Sequence, residues 1–205
     1  LLAAAVLLGN TGLAAEPAAI HVSAAGTRDG DGSPQRPFDS LEAALAGGAT
    51  PGTAVCIDAA KGPLAGDVLL KDLRGTADRP VVIRALDAAG PAAVIRGRLA
   101  LEGAAHVVLE HLAVEPRPDE GRQAAACLDV EGEHVQVRDC RVRGALADGV
   151  RLRGRQIELC GGEVAACEGC GISAEGLVRV KGTRVVACGK GGVLAGGEFR
   201  LVNSL

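Results

Sequence analysis

From residue 106 onward the chain repeats itself, and that repeat constrains the fold more than anything else in the sequence. His106–Val114, His134–Val142, Gln156–Val164, Leu177–Val185 and Glu198–Leu205 align, with starts 28, 22, 21 and 21 residues apart. A second register runs inside each unit, at Cys127-Leu128, Gly149-Val150, Gly171-Ile172 and Gly192-Val193. Self-similarity at about 21–22 residues is the signature of a solenoid, in which each unit buries its apolar face only against its neighbours.

The columns of the repeat say which solenoid. Val107, Val135, Ile157, Val178 and Phe199 share one position, and Leu109, Val137, Leu159, Val180 and Leu201 the position two later. Mostly polar residues lie between them, so each segment reads as a strand with one buried face. His111, Asp139, Gly161, Gly182 and Asn203 follow. Gly, Asn and Asp tolerate a left-handed backbone, which makes this column a tight bend. A second short strand comes next at Val114, Val142, Val164 and Val185. A third follows a variable loop, at Leu128–Val130, Val150–Leu152, Ile172–Ala174 and Val193–Ala195. Three strands per turn predict an all-β chain, one parallel β-helix with its equivalent residues stacked in ladders about 4.8 Å apart. Apolar spacing of three and four, which a helical repeat needs, is missing.

Composition narrows the class of partner. The net charge is −3, with no long run of one sign, which argues against a nucleic acid partner. Two Phe and no Trp or Tyr leave almost no stacking platform for bases or sugar rings. Residues 1–15, LLAAAVLLGNTGLAA, are too short to span a bilayer. They read as the apolar core and cleavage zone of a secretory signal, with cleavage after Ala14 or Ala15 and a secreted or periplasmic destination. No other stretch is long and apolar enough to cross a membrane. Seven cysteines in an exported chain suggest disulfides. Their columns suggest instead that cysteine serves as a small packing residue. Cys167 and Cys188 occupy equivalent positions in successive coils, and a bridge between them is sterically conceivable.

Ahead of the repeats, Ala19–Ser23 reads as a strand and Thr27–Pro37 as a turn-rich loop. Phe38–Ala46 reads as a helix, capped by Asp39 with Glu42 closing a capping box and ended by Gly47-Gly48. Residues 16–53 are thus expected to form an N-terminal cap and 54–205 the β-helix. The run His21–Leu45, then Pro51–Val55 and Gly75–Arg84, resembles the N-terminal segment of secreted right-handed parallel β-helix proteins of the pectate-lyase-like superfamily. The resemblance covers Ile20 to Leu205. It implies a right-handed coil with a short capping helix. It also implies a polysaccharide or cell-surface glycan as partner, because the group includes polysaccharide lyases, epimerases and hydrolases alongside members without activity. Only Asn203 keeps an Asn at the bend, so a long asparagine ladder is not expected. The array stops in mid-repeat at Leu205 and lacks an initiator Met, so the sequence is expected to be a fragment of a monomeric protein with more coils.

Candidate chemistry lies on the outward side of the third strand. There Asp129 and Glu131, Arg151 and Arg153, and Ser173 and Glu175 fall in neighbouring rows, beside the longer loop that carries Arg117 and Arg122. Eliminative cleavage of a uronate needs the sugar carboxylate neutralised and its C5 proton removed. Asp129 and Glu131 are candidate Ca²⁺ ligands, and Arg151 and Arg153 candidate catalytic groups. Arg117, Arg122, Ser173 and Glu175 are candidate substrate contacts. The same residues also fit a solvated ladder of cross-strand ion pairs. The Asp29-Gly-Asp31 loop is either a turn or a cation contact. The two functional readings are a lyase-type enzyme on acidic polysaccharide and a non-catalytic surface, adhesion or structural module.

Overall fold

A computed structural model describes residues 19–117 and 125–204. The leader-like residues 1–15 and Arg122 lie outside them. Strand β1 (Ala19–Val22) pairs in parallel with β2 (Ala54–Ile57), so the expected cap contributes the first rung of the same sheet that the repeats build. The outer edge of β1 is closed by its own loop. His21 N donates to Gly32 O at 2.8 Å, Phe38 N to His21 O at 3.0 Å and Ser23 N to Phe38 O at 2.9 Å, which removes a free strand edge.

The helix is shorter than the sequence suggests. It spans Leu41–Leu45, with Ser40 rather than Asp39 as N-cap, and the Ser40 hydroxyl accepts from Ala43 N at 3.4 Å. Asp39 instead accepts a hydrogen bond from that hydroxyl. The expected Asp39–Glu42 capping box therefore does not form, because the cap sits one residue later and places Ala43 at its third position. Leu41, Ala44 and Leu45 join the core.

The coils continue through β3 (Leu64–Ala65), β4 (Val68–Lys71), β5 (Val81–Ala85), β6 (Ala93–Arg96), β7 (Leu99–Glu110) and β8 (Leu112–Glu115). Beyond the loop come β9 (Leu128–Arg138), β10 (Arg141–Arg143), β11 (Val150–Cys160) and β12 (Glu163–Ala165). The last are β13 (Cys170–Lys181), β14 (Arg184–Val186), β15 (Gly191–Gly196) and β16 (Phe199–Val202). Every pairing is parallel. A ten-stranded sheet runs β1-β2-β5-β7-β9-β11-β13-β15, with β4 beside β7 and β16 beside β13; a six-stranded rear sheet runs β3-β6-β8-β10-β12-β14. Leu128, Val150, Ile172 and Val193 stand in register, as the repeat predicts. Ile83, Leu101, Leu109, Leu152, Ile157 and Leu159 fill the interior.

The left-handed corners of the repeats fall in three columns. The expected bend column, His111, Asp139, Gly161, Gly182 and Asn203, has φ of 55, 49, 68, 63 and 47°. A second column, His106, His134 and Gln156, lies at 52, 54 and 55°, inside β7, β9 and β11. There the third strand of one coil runs on into the first strand of the next as one long bent strand. A third column is Gly144, Ala166 and Ala187, at 70, 54 and 54°. The N-terminal halves of the long strands, with β4 and β15, form a front face distinct from the rear sheet. At the last rung Leu194 and Leu201 are exposed.

Candidate functional site

On the front face, Leu69, Ala100, Asp129, Arg151, Ser173 and Leu194 form one register row. Glu131, Arg153 and Glu175 follow two residues on. Alternation turns Leu128 and Val130 into the core, leaving Asp129 and Glu131 on the other side. The row meets an arginine that periodicity does not reveal. Arg98 sits just before β7, after Gly97, whose φ is 142°. A Cβ at Gly97 would stand 2.3 Å from Gly66 O, so only glycine lets the two coils close here. Arg98 N then donates to Asp67 Oδ1 at 2.7 Å, which aims its side chain along the row.

Three guanidinium groups converge on Asp129. Arg98 Nη2 lies 2.7 Å from Oδ2, Arg151 Nη1 3.8 Å from Oδ2 and Arg153 Nη2 3.4 Å from Oδ1. The Asp129 side chain is only 4% exposed, whereas the arginines keep 27, 30 and 38%. Two further carboxylates hold the outer side. Glu131 Oε2 lies 3.2 Å from Arg153 Nη2, and Asp148 Oδ2 3.6 Å from Arg151 Nη2. Asp148 is itself fixed, because its Oδ1 accepts from Cys170 N at 2.9 Å. The Nε atoms of Arg98 and Arg153 are buried and have no acceptor. A buried anion thus preorganises three cations whose side chains reach the protein surface.

No family model matches the chain, and no curated protein sequence matches it. Solved structures do. Pectate lyase Pel9A superposes with a TM-score of 0.63 over 83% of this chain and 46% of its own, at 15% identity. A rhamnogalacturonan lyase gives 0.53 over 88% and 62%, at 12% identity. The GH136 lacto-N-biosidase from Eubacterium ramulus gives 0.50 over 91% and 50%, at 13% identity. The chain is a right-handed parallel β-helix of the pectate-lyase-like fold. It spans about half the length of these structures. At such identities the likeness is one of fold, and the names of the three proteins denote different reactions.

In this β-helix the expected Ca²⁺ ligands do not fit the ion. Ca²⁺ takes six to eight oxygens, but both oxygens of Asp129 face guanidinium groups and Glu131 faces Arg153. Among the described residues no group of three or more His, Cys, Asp and Glu side chains is placed to hold a metal ion. Positive charge on this face comes from arginine. Ser173 is half-buried beside Arg151 in the row, and Glu175 is exposed beside Arg153. Arg117 lines a cavity of about 10 Å³ with Pro116, Ala125, Cys127 and Ala145 at the start of β9, room for roughly one water.

The remaining candidates are structural. Asp31 accepts from Ser33 N at 2.9 Å and pairs with Arg36 at 3.6 Å. The bond to Ser33 holds its carboxyl below the usual range, so the Asp29–Asp31 loop is engaged in its own turn. The seven cysteines are free thiols. Burial pushes Cys127, Cys140 and Cys167 up to about 12, which makes them poor nucleophiles.

Proposed function

We propose that this chain acts on, or binds, an extracellular acidic polysaccharide laid across the front face, and that any cleavage there is eliminative. The observation that carries the reading is the convergence of Arg98, Arg151 and Arg153 on one row, with all three side chains still reaching solvent. A planar guanidinium meets a sugar carboxylate with two parallel hydrogen bonds. Neutralising that carboxylate acidifies the neighbouring C5–H, the first requirement of elimination. Arginine stays protonated in proteins. Arg151 and Arg153 therefore serve as carboxylate clamps rather than as bases. Two of the neighbouring folds are named as lyases of such polymers, and the leader-like residues 1–15 agree with export to where the polymers are found. The monomeric state is part of the same proposal.

The rival is a non-catalytic module. It is favoured by the continuous ion pairing of the front face, where Lys71–Glu102 at 3.2 Å extends the ladder already described. Incubation with polygalacturonate and alginate, followed by ultraviolet absorbance of the unsaturated product, separates the two. The lyase reading expects product from the parent chain and none from a folded Arg153→Ala variant. Unchanged product formation by that variant sinks the assignment. Reducing ends without absorbance point to hydrolysis, and binding without either product to the module.

A further inference from the structure

The rear sheet carries a charge pattern of its own. Val94, Ala113, Arg141, Glu163 and Arg184 form one outward row. Arg96 pairs with Glu115 in the next row, and Arg143 lies two residues on from Arg141. Val114, Val142 and Val164 turn inward between them and are buried. Four arginines therefore share this face with two glutamates, in a chain whose net charge is −3. On the front face, by contrast, Arg98, Arg151, Arg153 and Lys71 are outnumbered by Asp129, Glu131, Asp148, Glu102 and Glu175.

The pairing is uneven as well. Arg143 takes Glu163 Oε1 through Nε at 3.0 Å and Nη2 at 2.5 Å, while Arg184 Nη1 lies 3.5 Å from Oε2. Glu163 is thereby occupied, and the Arg143 bond holds its carboxyl below the usual range. Arg96 and Arg141 are exposed and have no hydrogen-bonding or ion-pair partner among the described residues. Beside them runs a groove of about 250 Å³ whose floor includes Val94 and Ala113 and whose rim includes Arg141, Arg143 and Glu115. Small flat side chains under a cationic rim suit a sugar ring that carries a carboxylate.

We propose that this rear groove is a second, non-catalytic docking surface for a linear polyuronate. Charge complementarity, four arginines against two glutamates, selects an anionic polymer, and the arginines of β6, β10 and β14 stand two coils, about 9.6 Å, apart along the axis, matching every second sugar of a polymer with a charge on each. Single-stranded nucleic acid is the poorer fit, because bases need aromatic platforms. The aromatics Phe38 and Phe199 lie in the N-terminal loop and in β16, away from this sheet. The inference extends the polysaccharide reading to another face and is tested apart from it.

The test is native gel electrophoresis of the full chain with polygalacturonate, alginate or hyaluronate cast in the gel. Dextran and oligodeoxythymidylate serve as comparisons. Arg96→Gln/Arg141→Gln removes two side chains that make no hydrogen bond or ion pair among the described residues, Arg141 acting on Glu163 only at longer range, and an unchanged thermal melt checks its fold. At least one polyuronate is expected to retard the parent chain, and dextran none. The double variant is expected to bind about tenfold more weakly, as for two exposed ion pairs, and salt to erase the difference. Equal retardation of variant and parent overturns the inference, as does no retardation by any polyuronate, or equal retention by oligodeoxythymidylate. If Arg153→Ala instead abolishes retardation, the polymer lies on the front face and the rear groove is excluded. Product formation by Arg153→Ala removes the front-face reading and leaves the rear groove standing.

Discussion

Arg98 Nη2 and Asp129 Oδ2 lie 2.7 Å apart across two adjacent coils, and this contact anchors the front face. Asp129 is almost fully buried, and Arg98, Arg151 and Arg153 are its ion-pair partners. Removing one partner of a buried pair leaves the others uncompensated. Here the guanidinium groups reach water, which softens the loss. Asp129→Ala is expected to cost about 2–3 kcal/mol of stability, measured as a lower urea midpoint with an unchanged slope. A variant within about 0.5 kcal/mol of the parent would show that the arginines stand without their anion.

A second prediction concerns the interior. A Cβ at Gly149 would meet Val164 Cγ1 at 2.5 Å and Cys167 Sγ at 2.7 Å. One coil earlier the equivalent position is Cys127, and Ala145 stands where Cys167 would be. Large and small residues thus exchange places between coils, as close packing demands. Gly149→Ala is expected to destabilise by about 1–3 kcal/mol. Cys167→Ala should then cost less in that background than in the parent, with a coupling of at least about 0.5 kcal/mol. Strict additivity in the double-mutant cycle counts against the exchange.

How far the sequence discloses these features depends on residue type. The bend at His111, Asp139, Gly161, Gly182 and Asn203 is legible because Gly, Asn and Asp favour positive φ. The corners at Gln156, Ala166 and Ala187 have the same backbone, but Gln and Ala carry no such signal. Their geometry is imposed by the paired strands on either side. The helix expected over Phe38–Ala46 shrinks to Leu41–Leu45, and its cap moves one residue because Asp39 and Ser40 are both good N-caps. Rows containing Asp129, Arg151 and Arg153 follow from the period. Arg98 does not, since it sits at a Gly97 corner in a coil stretched by the long loop. A basic residue just after glycine at the equivalent offset was the one available clue.

Acid lability should trace in part to the rear sheet. The Arg143 hydrogen bonds favour the charged form of Glu163, so its folded pKa lies below the ordinary value of 4.5. The unfolded chain then binds the proton at higher pH than the folded chain does. This contribution is complete above 4.5 and is lost as pH falls through the lowered folded value. Asp31, held by Ser33, acts in the same direction. Glu163→Gln is expected to flatten the fall of Tm on acidification by lowering Tm near neutrality, the two chains converging once Glu163 is protonated. A slope identical to the parent's means that Glu163 does not report on folding.

At the alkaline end the buried thiols take over. Burial disfavours the thiolate of Cys127, Cys140 and Cys167, raising them from 9.0 to about 12. A raised folded pKa gives stability that is complete below the unfolded value and is lost as pH climbs toward the folded one. Tm should therefore decline as pH rises from 9.0 toward about 12. Exposure sets the order of modification before that point. Cys160 and Cys188 are half-buried, whereas Cys56, Cys127, Cys140, Cys167 and Cys170 are buried. Brief alkylation of the native chain at about pH 8, followed by peptide mass mapping, is expected to label only Cys160 and Cys188. Adducts on Cys127 or Cys140 before unfolding would show that the coil interior opens, contrary to the packing that holds the front and rear faces in place.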